Sequence, residues 1–167
     1  MKHATASVDM KAFEERIRSI QKTFPGGRTA ILPSLLAAQE TFGYVTPESL
    51  NVMERVLNIP QGILKEVGSF YHFIDFEFKG RHRVYVCTNL SCLLNGAQKL
   101  VEALREELGV EEDKVTPDGA VSYRTVECIG LCDRAPAALV DGEQLGPLTP
   151  ETLVERVRAL RKDKESA

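Results

Sequence analysis

Two cysteine pairs, Cys87 with Cys92 and Cys128 with Cys132, constrain the fold of this 167-residue chain more than any other feature. Four residues separate the members of the first pair and three those of the second, with 35 between the pairs. The chain has no further cysteines. Sulfur donors in fours hold a tetrahedral metal ion or an iron–sulfur cluster, and either centre requires both pairs to meet in space.

The residues from 81 onward provide a way for them to meet. Val84, Tyr85 and Val86 predict a short strand ending at Cys87. Leu93, Ala97, Leu100, Val101, Leu104 and Leu108 follow at helical spacing, stopped by Gly109. After the turn Thr116-Pro117-Asp118-Gly119, residues 121–127 read as a strand running into Cys128. Residues 136–140 predict a third strand, with proline tolerated at its first position. Asp141-Gly142 is a hairpin signal leading to a return strand at Gln144 and Leu145. Thr149-Pro150-Glu151 opens a last helix with Leu153, Val154, Val157 and Leu160 on its buried face. Strand, helix, strand, hairpin and helix is the thioredoxin-like order. A strand–helix–strand unit joins parallel strands by a crossover, and parallel strands end at the same edge of a sheet. Both cysteine pairs are therefore expected in loops on one rim, as one shared site.

The first eighty residues read differently. Phe13, Ile17, Ile20 and Phe24 mark a helix capped by Asp9 and ended by Pro25-Gly26-Gly27. Ile31, Leu32, Leu35, Leu36 and Ala38 mark a second apolar face closed by Gly43, with Pro33 either near its start or kinking it. Thr46-Pro47-Glu48 starts a third helix whose stripe is Leu50, Met53, Val56 and Leu57. A fourth spans residues 60–69. Five of the eleven aromatic residues then fall within residues 70–78, read as a connector that packs internally in preference to against a partner. The expected architecture is α+β: a small N-terminal helical bundle over 1–80, then a thioredoxin-like α/β domain over 81–167.

Charge and composition exclude several functions. With 21 basic and 24 acidic residues the chain lacks the basic footprint of a nucleic-acid-binding protein. The basic run over residues 156–164 has the spacing of a solvated helix face. No apolar stretch approaches membrane-span length, and the N-terminus lacks a secretory h-region. A cytoplasmic location without direct membrane insertion follows, and there thiols stay reduced and structural disulfides are rare. His72 and His82 have no ligand spacing and read as satisfied surface or interface residues. No glycine-rich dinucleotide fingerprint, Walker A sequence or hydrolytic constellation is present.

Around the cysteines, Ser91 reads as an N-cap that places Cys92 at a helix start, where free N–H groups favour an anionic sulfur. Gly130 lets the second loop curl so that its amides can face sulfur. Spacing alone leaves three readings open: an iron–sulfur cluster, a structural zinc ion in an interaction module, or thiol redox chemistry. Neither pair has the C-x2-C spacing that thiol–disulfide exchange in this fold would use.

The segments Val86-Cys87-Thr88-Asn89-Leu90-Ser91-Cys92-Leu93-Leu94-Asn95-Gly96-Ala97 and Val126-Glu127-Cys128-Ile129-Gly130-Leu131-Cys132-Asp133-Arg134-Ala135-Pro136 resemble the thioredoxin-like [2Fe–2S] ferredoxin family. That family is best known as the small iron–sulfur subunit of the NADH-oxidising module of complex I (NADH:quinone oxidoreductase), with related subunits in NAD-linked hydrogenases and formate dehydrogenases. The resemblance spans the helical part, the junction Gly68-Ser69-Phe70-Tyr71 and the C-terminal half. It does not include the longer tail of some members, so partner contacts made by such a tail are not carried over. It implies that Cys87, Cys92, Cys128 and Cys132 ligate a [2Fe–2S] cluster, the first two on one iron and the last two on the other. It also implies a larger partner subunit carrying FMN and NADH, further subunits of a membrane-attached complex, and no catalytic residue in this chain itself. Arg134, just beyond Cys132, reads either as a charge that raises the cluster potential or as a plain surface residue.

Overall fold

The computed structural model describes residues 9–162, so the readings made on residues 1–8 and 163–164 lie outside it. The chain divides into two compact units after Phe78. The composition placed the change at Gly80. Lys79 and Gly80 go with the second unit because Ser122 donates its hydroxyl to the Lys79 carbonyl and Arg81 N–H bonds Gly119 O at 3.2 Å.

The first unit is helical. α1 (Met10–Thr23) starts where Asp9 accepts the Lys11 N–H at 2.8 Å, and it buries Phe13 and Ile17. α2 (Ile31–Phe42) begins just before Pro33, whose missing N–H is not needed in a first turn, and ends at Gly43 with φ 81. Its inner face differs from the expected one. Ile31, Ser34, Leu35, Ala37 and Ala38 are buried, whereas Leu36 is exposed. Positions 31, 34, 35 and 38 form a stripe at helical spacing, and Leu36 lies off it. α3 (Pro47–Leu57) is capped by Thr46, which accepts the Ser49 N–H at 3.1 Å, and buries Leu50, Met53, Val56 and Leu57. α4 (Gln61–Ser69) closes the bundle. Tyr71, Phe73 and Phe76 pack on this core, but Phe70 is 83% exposed. Phe76 lies so close to Gly68 that a Cβ there would meet its ring at 2.5 Å.

The second unit holds a four-stranded sheet in the order β2-β1-β3-β4. β1 (His82–Cys87) pairs parallel with β2 (Val121–Val126) and antiparallel with β3 (Ala138–Val140), which pairs antiparallel with β4 (Glu143–Leu145). The hairpin between the last two turns at Asp141 (φ 51) and Gly142 (φ 86), the left-handed pair a two-residue turn requires. β3 is shorter than expected: Pro136 and Ala137 lie before it, and Pro136 O accepts the Leu148 N–H at 2.9 Å outside the ladder.

The long helix expected after Cys87 is two helices, α5 (Leu90–Leu94) and α6 (Ala97–Leu108). They break at Gly96, whose φ of 93 no helix accommodates. α6 and α7 (Pro150–Lys162) bury Leu100, Leu104, Leu153 and Val157 with Val84, Val86, Tyr123 and Val140 of the sheet. Each buried leucine there contributes about 3 kcal/mol relative to alanine. The basic face of α7 is paired at the surface, Arg156 with Glu143 at 2.7 Å and Arg158 with Glu107 at 2.6 Å. No described helix is long and apolar enough to cross a membrane.

Asp118 organises the turn before β2. It accepts the Thr116 hydroxyl at 2.5 Å and the Ala120 N–H at 3.1 Å, and meets Arg161 at 3.0 Å. The Thr116 hydroxyl, and less strongly the Ala120 amide and Arg161, overcome burial and hold its carboxyl at about 2, below the ordinary range. A depressed carboxylate contributes stability that is complete above its unfolded pKa and is lost as pH falls through the folded one. Asp118→Asn is therefore expected to be less stable at neutral pH. It should also flatten the loss of stability between about pH 4 and pH 2, measured by denaturant titration at each pH.

Candidate metal centre

The parallel register sets the site. Cys87 stands beside Val126, so the chain leaves β1 and β2 at the same rim, and Cys128 follows two residues later. The Cys87 N–H donates to Ala137 O at 3.1 Å and the Thr88 N–H to Val126 O at 3.0 Å, which pins the exit of β1 between its two neighbours.

Each loop is then shaped locally. Asn89, not Ser91, caps α5, accepting the Leu90 N–H at 2.9 Å; its amide also donates to Glu127 at 2.8 Å. Ser91 lies inside the helix and donates its hydroxyl to Cys132 O at 3.2 Å, tying the first loop to the second. Gly130 has φ 80, and its N–H donates to Cys128 Sγ at 3.4 Å, as its position between the cysteines predicts. An L-residue adopts that φ only with strain.

The sulfurs are not equivalent. Cys87 and Cys92 are buried, at 2% and 1% exposure, among Ala97, Leu131 and Ala137, with Ile129 and Ala135 packed against them. Cys128 and Cys132 are exposed, with their sulfurs 3.6 Å apart. Burial pushes the Cys92 thiol up to about 11, the Cys87 sulfur adds to this, and a hydrogen bond from the Ala137 amide opposes it. The Cys132 thiol is also raised, chiefly by its hydrogen bond with Cys128. The Cys92 thiol is thus raised where a helix start alone would lower it: α5 has only five residues, and burial is the largest influence on this sulfur.

This donor set fits a metal centre. Two thiolates on one tetrahedral metal, each bonded at about 2.3 Å, lie roughly 3.7 Å apart. The Cys128–Cys132 separation of 3.6 Å matches that edge. Crowded sulfurs that disfavour ionisation in each other become thiolates when a metal supplies positive charge. Within the site the nearest sulfur neighbours are Cys128 with Cys132 and Cys87 with Cys92, and Cys132 also feels the charge of Cys87.

The histidines are placed elsewhere. His82 is buried rather than at the surface, with Nδ1 at 2.7 Å from Asp141 at the start of β1, about 17 Å of extended strand away from Cys87. Arg134 is nearly half exposed and lies 4.0 Å from Asp133. Two contributors escaped the sequence reading. The Ala137 amide has no side-chain signal. Gly146 lies against the Arg134–Ala137 segment so closely that a Cβ there would collide with Arg134 O.

Comparison with known proteins gives a consistent result. The family model for thioredoxin-like [2Fe–2S] ferredoxin matches residues 17–161. The chain is 38% identical over 121 residues to an NADH-quinone oxidoreductase subunit of Aquifex aeolicus, covering 72% of this chain and 76% of that one. It is 35% identical over 139 residues to NADH-quinone oxidoreductase subunit 2 of Thermus thermophilus, covering 80% and 77%. Its fold is that of part of an NAD+-reducing [NiFe]-hydrogenase in the air-oxidised state, with a TM-score of 0.72, 21% identity and coverage of 81% of this chain and 23% of the hydrogenase chain. With a match over most of its length and both cysteine pairs on one rim, the chain belongs to the thioredoxin-like [2Fe–2S] ferredoxin family, and its cofactor is a [2Fe–2S] cluster.

Proposed function

We propose that Cys87, Cys92, Cys128 and Cys132 hold the [2Fe–2S] cluster, and that the chain is the one-electron carrier subunit of an NADH-oxidising complex. The observation that carries the ligand reading is the division of the sulfurs into two pairs, Cys128 and Cys132 at 3.6 Å and Cys87 beside Cys92. A two-iron cluster takes two thiolates at each metal, whereas a zinc ion takes all four around one point. When bound, the group supplies a centre that accepts and returns single electrons.

The chain's own residues tune and present that centre. The amides of Gly130 and Ala137 donate to Cys128 and Cys92, which stabilises negative charge on sulfur. Ala97, Leu131 and Ala137 keep water from the inner pair. The outer pair is exposed, which leaves that side of the centre open to a redox partner. α5 adds Leu90, Leu93 and Leu94, at 69%, 50% and 77% exposure, beside this opening. Aliphatic side chains grouped next to a redox centre suit a protein partner better than water.

That partner is a larger subunit binding flavin and NADH, since this chain has no nucleotide-binding motif and its relatives are named as NADH-quinone oxidoreductase subunits. The equivalent place in an NAD-linked hydrogenase or formate dehydrogenase is the second reading, favoured by the fold shared with the hydrogenase chain. Purification through a tag on this chain tests both. The expected result is a co-purifying flavin-containing chain, and bleaching of the cluster's visible absorption by NADH only when that chain is present. Reduction of the isolated chain by NADH, or a bound partner without flavin, would reject the proposal.

A further inference from the structure

The four thiols differ in exposure, and that difference has a consequence for the cluster-free chain. We propose that Cys128 and Cys132 form a reversible disulfide-forming pair, oxidised by small disulfides before cluster loading, while Cys87 and Cys92 stay reduced. The effect on loading rests on the ligand reading above; the site of oxidation does not.

Three observations converge on this pair. The sulfurs are in contact at 3.6 Å, so bonding requires an approach of only about 1.6 Å. Both residues are exposed, so a small disulfide can reach either sulfur. Gly130 curls the intervening backbone at φ 80 and donates its N–H to Cys128 Sγ at 3.4 Å, which holds the loop that brings the two sulfurs together. The inner pair has none of this access: Cys87 and Cys92 are 2% and 1% exposed beneath Leu131, Ala97 and Ala137.

The chemistry balances with a low-molecular-weight disulfide RSSR, such as oxidised glutathione, as oxidant. Cys128 Sγ attacks one sulfur of RSSR, the RS–SR bond breaks, and the released RS⁻ takes up the proton lost by Cys128. Cys132 Sγ then attacks the Cys128 sulfur and displaces the second RS⁻, which takes up the Cys132 proton. Two protein thiols become one disulfide, RSSR becomes two RSH, and two electrons pass from protein sulfur to the oxidant. Reduction by a dithiol reverses both steps. The bridge withholds two of the four ligands, so the oxidised chain cannot assemble its cluster until it is reduced.

The test uses the full chain, stripped of metal under reductant and exposed to oxidised glutathione. Intact mass should fall by two hydrogens, and peptide mapping should place the bond between Cys128 and Cys132, with Cys87 and Cys92 still alkylatable after unfolding. Cys132→Ser should instead trap a glutathione adduct at Cys128. Loss of the outer thiols should outpace loss of the inner pair by at least about tenfold, in line with their access. A first bond involving Cys87 or Cys92, or a lasting adduct in the unsubstituted chain, would overturn the inference and leave the ligand assignment intact. Iron and sulfide added to the bridged form should give under about a tenth of the cluster obtained after dithiol reduction. Correct bridging with undiminished loading would instead overturn both the effect on loading and the ligand assignment it rests on.

Discussion

Cys128→Ser will lose most of its [2Fe–2S] cluster: the purified variant should retain under about a fifth of the iron and sulfide of the unsubstituted chain. Cys128 lies two residues beyond the end of β2, its sulfur meets the Gly130 amide at 3.4 Å, and it stands 3.6 Å from Cys132. Serine keeps the backbone and the shape but offers a harder oxygen that must also lose a less acidic proton. Cys128 is exposed, so the substitution leaves no buried cavity, and thermal unfolding of the metal-free chain should change by under about 1 kcal/mol. The pairing of a large cofactor loss with little effect on the apo fold separates ligand from scaffold. Unchanged iron, sulfide and visible absorption in this variant would refute Cys128 as a ligand.

Gly146→Ala has the second large effect, and it acts through backbone. A Cβ at this position would collide with Arg134 O and stand 3.2 Å from the Ala137 Cβ and 3.3 Å from the Arg134 Cβ. The nearest of these is a main-chain carbonyl, which no side-chain rotation can clear. The loop must move, and with it go Cys132, two residues before Arg134, and the Ala137 amide that bonds Cys92. Overpacking of this kind costs about 3 kcal/mol, a fall in Tm on the order of 10 °C. The loaded variant should also show a shifted reduction potential, because the displaced amide no longer stabilises charge on Cys92. A Tm and potential both equal to those of the unsubstituted chain would show that the loop does not constrain the centre.

The contrast between these two positions shows what a sequence reading can reach. Cysteine spacing and strand-forming runs are local signals, and they led from Cys87 and Cys128 to two parallel strands ending at one rim. Turn and cap chemistry was equally legible where a single residue dictates it, as at Thr46-Pro47 and Asp141-Gly142. Where two readings competed, the nearer signal misled. The apolar series from Leu93 to Leu108 continues across Gly96, yet the glycine breaks the helix and leaves Leu93 half exposed. Ser91 looked like a cap because it precedes Cys92, whereas Asn89 holds that role and Ser91 is spent on the Cys132 carbonyl. The direction of the Cys92 shift was reversed for a different reason. Helix-start amides are a local property, while the burial that overcomes them comes from Leu131 and Ala137, some forty residues further along the chain.

These placements explain why an electron carrier of this kind needs little chemistry of its own. The sheet edge collects the sulfurs, two amides stabilise charge on them, an apolar floor keeps out water, and α5 adds exposed leucines beside the open side. The Cys92 and Cys132 thiols are both raised, so their ionisation is coupled to metal binding.

Iron and acid-labile sulfide analysis of anaerobically purified protein, with electron paramagnetic resonance after dithionite reduction, tests the four-thiolate cluster most directly. The expected result is iron and sulfide in equal amounts, two of each per chain, and a signal from one unpaired electron that appears only on reduction. A colourless protein holding one zinc ion per chain, silent before and after dithionite, would contradict it.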